Sequence, residues 1–317
     1  MTATELLVTK TARRSASSRR DTSRRGAGRR RPQHRGAIAF FTGPFAVLFA
    51  LFYLLPIGYA VWQSLQVIER DGTYGAPRQV FGGLQQYVHV FENGEFWASV
   101  GRMLLFGVVQ VPVMLGLALL FALLLDSPIL KGRRFFRLAF FAPYAVPGVI
   151  AAIMWGFLYS PNLSPFTDVT RAIDFLSPQA VLWSIANVVT WVFVGYNMLI
   201  IYSALLAIPA EVYEAARIDG AGQIRIAWSI KIPMVAPALV LTTVFSIIGT
   251  LQLLAEPQVF RSFSSAVSST FTPNMMIYAT NSIPNLNLAA AFSVVLALAT
   301  FILSFAVLRG SQRKAQS

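Results

Sequence analysis

The sequence predicts an all-α integral membrane protein with about six transmembrane helices. The chain is 56% hydrophobic and only 12% charged, whereas a soluble domain normally carries about 25% charged residues. Six apolar stretches are long enough to cross a bilayer, and the basic residues cluster in alternate segments between them. A chain with so little polar surface cannot cover itself in water, so lipid is its natural solvent.

The six predicted spans follow from length and from the absence of charge near their centres. A helix needs about 20 apolar residues to cross about 30 Å of hydrocarbon. Asp126 and Glu256 stand just beyond the second and fifth spans, where a charge costs least. Pro143 and Pro147 predict a break near the start of the third span, because proline removes a helical hydrogen bond. The membrane domain is expected over 37–308, with spans at roughly 37–62, 103–125, 138–159, 181–207, 235–255 and 288–308.

Orientation follows from the lysines and arginines outside the spans. Residues 1–36 carry eleven of them, and ten more lie in 126–137, 208–234 and the C-terminal tail 309–317. The other three loops carry only four. Basic loops stay in the cytoplasm, so a six-span chain has both termini there. The tail 1–36 lacks apolar periodicity, so we expect it to be disordered and to touch anionic lipid rather than nucleic acid.

Several kinds of chemistry are absent from the sequence. There is no cysteine, and His34 and His89 are the only histidines, which argues against a metal site or a thiol nucleophile. The sequence lacks a Gly-rich GxxxxGK[ST] loop, so ATP is not expected to bind here. The 13 acidic residues are scattered. We therefore predict no catalytic residues, no cofactor and no enzymatic activity in this chain.

The segment 209–233, between the fourth and fifth spans, predicts a helical hairpin. Pro209 suits the first turn of a helix, AEVYEAARI. Gly220 follows that helix and is expected at positive φ, which glycine adopts freely. QIRIAWSIKI then predicts a second short helix, which Pro233 is expected to end. Glu214 and Asp219 would offer carboxylates to a basic partner on a surface of small side chains. The residues alone fit equally well an amphipathic hairpin at the membrane interface that has no partner.

The spacing within this hairpin resembles the EAA loop of binding-protein-dependent ABC importer permeases. The matching residues are Glu214-Ala215-Ala216, then Gly220 after three residues, then Ile230-Lys231-Ile232-Pro233 after nine more. Ile232 replaces the usual leucine. The string YEAARIDGAG resembles the carbohydrate-uptake branch, of the maltose and glycerol-phosphate type. One departure is Gly101-Arg102-Met103, where these permeases often have an Asn-Thr pair, which leaves the contacts there open.

The resemblance implies a type I ABC importer permease in a bacterial inner membrane. Its partners would be a cytoplasmic ABC ATPase dimer that holds ATP and Mg, a second permease subunit, and an extracytoplasmic solute-binding protein. The second permease would form a heterodimer with this chain, while a pair of identical copies stays open. The hairpin would then be the coupling loop that docks on the ATPase. The coupling residues that the resemblance implies are Glu214, Ala215, Ala216, Asp219, Gly220, Ile230 and Pro233.

A solute pathway needs polar groups and aromatic faces inside the bundle. The branch resemblance implies a sugar or oligosaccharide, while another polyol or a glycerol phosphodiester stays open. A secondary transporter would place titratable residues in mid-span, and a structural membrane protein would not require the EAA spacing. Trp155, Trp183 and Tyr159 are expected to anchor the membrane interface. The candidate pathway residues are Trp191, Tyr196, Asn197, Gln252 and Glu256.

Overall fold

A computed structural model describes residues 35–70, 72, 75–282 and 285–316. The basic tail predicted over 1–36 lies outside the described residues except for its last two positions, which begin the first helix. The chain divides into two compact units, 1–57 and 58–317.

The described part of the first unit is helical throughout. It contains α1 (Arg35–Phe49), a π-helical turn (Ala50–Leu54) and the start of α2 (Leu55–Ser64). Every large apolar side chain from Phe40 to Ile57 is exposed. The stretch Phe40–Ser64 is long and apolar enough to cross a membrane, so these side chains suit contact with lipid.

A short β-hairpin, which the sequence reasoning did not anticipate, precedes the second long helix. Its strands are β1 (Gln66–Arg70) and β2 (Pro77–Phe81), paired antiparallel with Val67 opposite Val80. Helix α3 (Gln85–Glu92) and the 33-residue α4 (Gly94–Asp126) follow. Asn93 caps α4, because its Oδ1 accepts from the Phe96 amide at 2.9 Å.

The third span is broken where the two prolines predicted it. Helix α5 (Arg133–Phe141) continues into a 3₁₀ turn (Ala142–Ala145), and α6 (Gly148–Tyr159) leaves at 95° to it. Pro147 forces the preceding residue out of helical geometry, and Val146 is extended. The predicted break is confirmed.

The rest of the second unit is also helical. Its elements are α7 (Thr167–Ala172), α8 (Val181–Leu206), α9 (Ala210–Ile218), α10 (Gln223–Ile226), a π-helical turn (Ala227–Lys231), α11 (Ile232–Met234), α12 (Ala236–Leu251), α13 (Ala255–Phe260), α14 (Pro273–Ser282) and α15 (Leu286–Gln316). Helix α15 runs through most of the C-terminal tail that the sequence analysis had separated from the last span.

The second helix of the hairpin does not end at Pro233, as the sequence had suggested. Helical geometry continues from α10 through the π-turn and α11 to Met234, with Pro233 in the first turn of α11. A proline ring needs space beside the carbonyl four residues earlier. The carbonyl four residues before Pro233 lies within the π-turn over Ala227–Lys231. A π-turn widens the helix, which makes room for the proline ring.

The core of the second unit lies along α4 and α8. One cluster of buried side chains centres on Phe106, Ile185 and Phe260, and a second on Met114, Met198 and Leu205. Gly195 on α8 brings this helix against the backbone of Phe140 and Phe141 in α5. Five described helices can cross a membrane by length and composition, or six if the bent third pair counts as one span. The predicted fold class is confirmed.

Candidate functional site

The first helix of the hairpin ends in a defined C-cap. Gly220 has φ +77°, as the sequence predicted. Its amide donates to Arg217 O at 3.0 Å, and the next amide, of Ala221, donates to Ala216 O at 2.9 Å. These two bonds together form a Schellman motif, which satisfies carbonyls at the helix end and requires the left-handed conformation at the glycine. The turn of the hairpin is therefore fixed by a glycine in a backbone conformation that other residues adopt poorly.

The hairpin exposes both charge and apolar surface. Glu214, Ala215, Asp219, Gly220 and Pro233 are exposed, Ile230 is half-buried and Ala216 is buried. The flanking side chains of Ile218 and Ile224 are 87% and 78% exposed. Apolar side chains left open beside carboxylates are typical of a docking surface. Six of the seven implied coupling residues can thus be reached by a partner, and Ala216 supports the helix from behind.

An ion pair anchors the hairpin to α4. Lys231 Nζ donates to Asp126 Oδ2 at 2.5 Å, with the two side chains only 9% and 14% exposed. The ammonium also lies 5.2 Å from the ring centroid of Tyr213 on α9. Asp126 is the last residue of α4, where the helix dipole disfavours a negative charge, so a cation is needed there. Burial raises the pKa of the Tyr213 phenol and Asp126 raises it further, so the ring faces Lys231 as a neutral phenol.

We expect Asp126→Asn to destabilise the protein, because it leaves the Lys231 ammonium buried without a counter-charge. Removing one partner of a buried pair costs about 3–5 kcal/mol, whereas replacing both with apolar groups is often neutral. Adding Lys231→Met should therefore recover most of the lost stability. The apparent melting temperature of the purified protein measures both effects. Glu211→Gln, at an exposed carboxylate on α9, is the control. If the double variant is no more stable than Asp126→Asn, the pair is not the anchor.

A cavity of about 410 Å³, with a mostly apolar wall and a few polar side chains, lies between α4, α8, α12 and α13. Four of the five predicted pathway residues line it together: Tyr196, Asn197, Gln252 and Glu256. Glu256 is only 8% exposed, and its Oε1 lies against Gly148 at the break of the third span. A volume of a few hundred Å³ with a few convergent polar groups is typical of a small-molecule site.

Trp191, the fifth predicted pathway residue, does not line this cavity. It packs edge-on against Trp155 in the core, with ring centroids 6.0 Å apart. The expectation that Tyr159 anchors the membrane interface is wrong, because this side chain is buried and its hydroxyl accepts from Asn187 Nδ2 at 2.8 Å. Trp155 is likewise packed in the core. Aromatic residues near span ends look alike in sequence, whether they face lipid or a neighbouring helix.

Gln110 on α4 is a cavity residue that the sequence reasoning missed. It is 3% exposed, and its Nε2 donates to Thr190 Oγ1 at 3.2 Å and lies 3.4 Å from Met114 Sδ. Its Oε1 is buried without a hydrogen-bond partner among the described residues. A lone amide in the middle of a long apolar stretch was the available signal, since polar groups within a membrane need partners.

The departure at Gly101-Arg102-Met103 is explained by the fold. Arg102 Nη1 donates to Phe271 O at 2.6 Å, and the guanidinium lies 4.7 Å from the centroid of the Phe271 ring. Arg102 thus ties the start of α4 to the segment before α14. Within the described ranges, no group of three or more His, Asp or Glu side chains comes close enough to hold a metal ion.

A helical membrane bundle with a cavity that several polar side chains line, and with an exposed, anchored hairpin, has the features of a transport pathway subunit. Residues 115–314 match the family described as binding-protein-dependent transport system inner membrane component. The chain belongs to this family.

Relatives and solved structures agree with this assignment. The chain is 31% identical to the lactose transport system permease protein LacF of Rhizobium radiobacter, over 84% of this chain and 90% of the relative. It is 29% identical to the sn-glycerol-3-phosphate transport system permease protein UgpA of Yersinia pseudotuberculosis, over 67% and 73%. Its fold matches a chain of a bacterial alginate ABC transporter in complex with its alginate pentasaccharide-bound periplasmic protein, with a TM-score of 0.74, 16% identity, and coverage of 90% and 97%.

Proposed function

We propose that this chain is the permease subunit of an ATP-driven ABC importer that moves a sugar or oligosaccharide across a bacterial inner membrane. Its membership of the inner-membrane component family supports the transport role. The likeness to a lactose permease over most of both chains supports a sugar as solute. The cavity supplies the polar groups and aromatic faces that a polyhydroxyl solute needs.

The observation that carries the proposal is that one helix serves both the cavity and the hairpin. Helix α4 lines the cavity through Gln110 and Met114 and ends at Asp126 on the anchor of the hairpin. The 16 residues from Gln110 to Asp126 span about 24 Å, at 1.5 Å per residue. A displacement of the hairpin would therefore reach the cavity wall through a rigid element.

The partner at the hairpin is an ABC ATPase dimer, which binds ATP and Mg and performs the hydrolysis. The exposed Glu214 and Asp219 would meet basic side chains on the ATPase, while Ile218 and Ile224 would fill an apolar groove. Closure of the two ATPases on ATP would move the hairpins of two permease subunits, this chain and a second one. Hydrolysis is placed on the partner because the sequence of this chain has no phosphate-binding GxxxxGK[ST] loop.

The other side of the membrane faces the solute-binding protein. The distribution of Lys and Arg supports a cytoplasmic position for 126–137, the hairpin and both termini, and so an outer position for the β-hairpin and α7. A binding protein would deliver the solute there, and the family name itself describes transport that depends on such a protein.

Reversing the charge at Glu214 tests the proposal. We expect Glu214→Lys to insert and accumulate normally, because this exposed side chain contacts no part of the core, yet to lose the ATPase and sugar uptake. Charged pairs at an interface contribute about 2–5 kcal/mol when one partner is removed, which corresponds to at least a tenfold loss of affinity. The measurements are co-purification of the ATPase with the tagged chain and uptake of radiolabelled lactose and maltose by cells that express the whole transporter.

Glu92→Lys is the matched control, because it makes the same charge change at an exposed carboxylate on α3, away from the hairpin. It should retain both the ATPase and uptake. If Glu214→Lys binds the ATPase and takes up sugar as the wild type does, the hairpin is not the coupling element.

A further inference from the structure

The charges around the cavity are one-sided. Among its lining residues Glu256 is the only acidic side chain, and no lysine, arginine or histidine is present. Arg102, the basic residue on α4, is engaged elsewhere, since it donates to Phe271 O, and Lys231, in the π-helical turn before α11, pairs with Asp126. An anionic solute in this cavity would thus meet a carboxylate and no cation.

The two buried amides of the cavity have their donors in use. Gln110 Nε2 has Thr190 Oγ1 and Met114 Sδ as neighbours, and a thioether sulfur can only accept, which fixes the orientation of this amide. Asn197 Nδ2 donates to Phe193 O at 3.1 Å and lies 3.7 Å from the same sulfur. Each NH₂ group has two protons and two acceptors within reach. Neither amide therefore has a proton to give a solute.

The Glu256 side chain, in contrast, brings oxygens to the cavity that can accept from a solute hydroxyl. Gln110 Oε1 has no hydrogen-bond partner among the described residues, but this atom has almost no accessible surface, so it does not face a solute in this conformation. Ionised phosphate and carboxylate groups of a solute are acceptors themselves and cannot donate to Glu256.

We propose that this cavity selects a polyhydroxyl solute without negative charge, and that Glu256 is the residue that rejects phosphate- and carboxylate-bearing solutes. This inference rests on the proposed function, since it takes the cavity as the solute pathway. It decides a point that the relatives leave open, because they include permeases named for lactose and for sn-glycerol 3-phosphate. Hydroxyl donors of the solute pair with the Glu256 carboxylate, which repels anions.

The absence of cysteine allows a direct test of the charge preference that requires no knowledge of the natural solute. Gly249 lines the cavity, and a Cβ added there meets no atom within 4 Å, so Gly249→Cys places a single thiol in the cavity without a clash. In the reconstituted whole transporter, its modification by a cationic and by an anionic methanethiosulfonate reagent is followed by the mass of this chain. The thiolate attacks the reagent sulfur and methanesulfinate leaves, so a mixed disulfide forms. Each rate is divided by that of the same reagent with free cysteine.

We expect the cationic reagent to react at least about tenfold faster than the anionic one, since a charged cleft changes local ion concentrations by about 10–10³. Adding Glu256→Gln should bring the ratio close to one. Adding Glu92→Gln, which neutralises an exposed carboxylate on α3, should leave it unchanged. Lactose at millimolar concentration should slow the modification more than lactobionate does. Lactobionate is the same disaccharide with one ring opened and its aldehyde carbon oxidised to a carboxylate.

Three results would overturn the inference: an equal or faster reaction with the anionic reagent, a ratio that survives Glu256→Gln, or a thiol that neither reagent reaches. Protection by lactobionate equal to that by lactose would overturn it as well. A failure of the proposed function would give a different result from a failure of this inference. The charge preference at Gly249→Cys would persist, but cells that express the whole transporter would show no uptake of any sugar.

Discussion

Gly220→Val is expected to uncouple the transporter while leaving the protein in the membrane. Gly220 has φ +77°, a region that a β-branched residue strongly resists. The bonds that close the hairpin, from Gly220 N to Arg217 O and from Ala221 N to Ala216 O, exist only with this geometry. Strain of about 1–3 kcal/mol then falls on the hairpin, which lowers the population of its docking conformation by roughly five- to 150-fold.

The effect should come from the backbone alone. A Cβ at Gly220 meets no atom within 4 Å, so the valine side chain itself is not obstructed. Gly220→Asn is therefore the informative control, because asparagine tolerates positive φ better than any β-branched residue. We expect the order glycine, asparagine, alanine, valine for both ATPase co-purification and uptake. Equal association and uptake in all four would show that the Schellman turn does not serve coupling.

Gly195→Ala is expected to have the largest effect on folding. A Cβ at Gly195 would overlap the carbonyl oxygen of Phe140 and lie 2.9 Å from the Cα of Phe141. Backbone atoms cannot turn aside as a flexible side chain can, so α8 and α5 would have to separate. Overpacking typically costs about 1–3 kcal/mol, and a clash with backbone belongs at the upper end or beyond. We expect a clear fall in membrane accumulation and in the melting temperature of the purified protein.

Gly116→Ala provides the matched control within another membrane helix. This glycine is exposed on α4, and an added Cβ meets nothing within 4 Å. Because alanine favours the helix more than glycine does, the variant should be neutral or slightly stabilised. If Gly195→Ala accumulates and melts like Gly116→Ala, then α8 and α5 do not pack as closely as the structure has them.

Much of the fold could be predicted because membranes impose simple rules. Apolar length and the absence of central charge indicated the spans, and Pro143 and Pro147 indicated the break that the structure shows at 95°. The positive φ at Gly220 also followed from local chemistry. The same local reasoning failed at Pro233, because a π-turn upstream makes room for the ring. A distortion of this kind depends on hydrogen bonds that no residue type specifies.

The candidate site was predicted less completely, because burial inside a bundle depends on which face of a helix meets its neighbours. Trp191 and Tyr196 lie five residues apart on α8, yet the first packs against Trp155 and the second lines the cavity. Gln110 was overlooked because one amide in a span reads as ordinary helix-to-helix contact. Only its unpaired Oε1 distinguishes it.

The sequence by itself determined the membrane environment, the approximate spans and the position of the hairpin, because each depends on composition and on residues close together in the chain. Only the tertiary structure decided which polar side chains share one cavity. It also revealed that Asp126 and Lys231, 105 positions apart, form the anchor between α4 and the hairpin. The physical reason is that charge pairing and the satisfaction of buried polar groups depend on distances across the bundle. Those distances are set when helices pack, and a linear pattern of residues does not contain them.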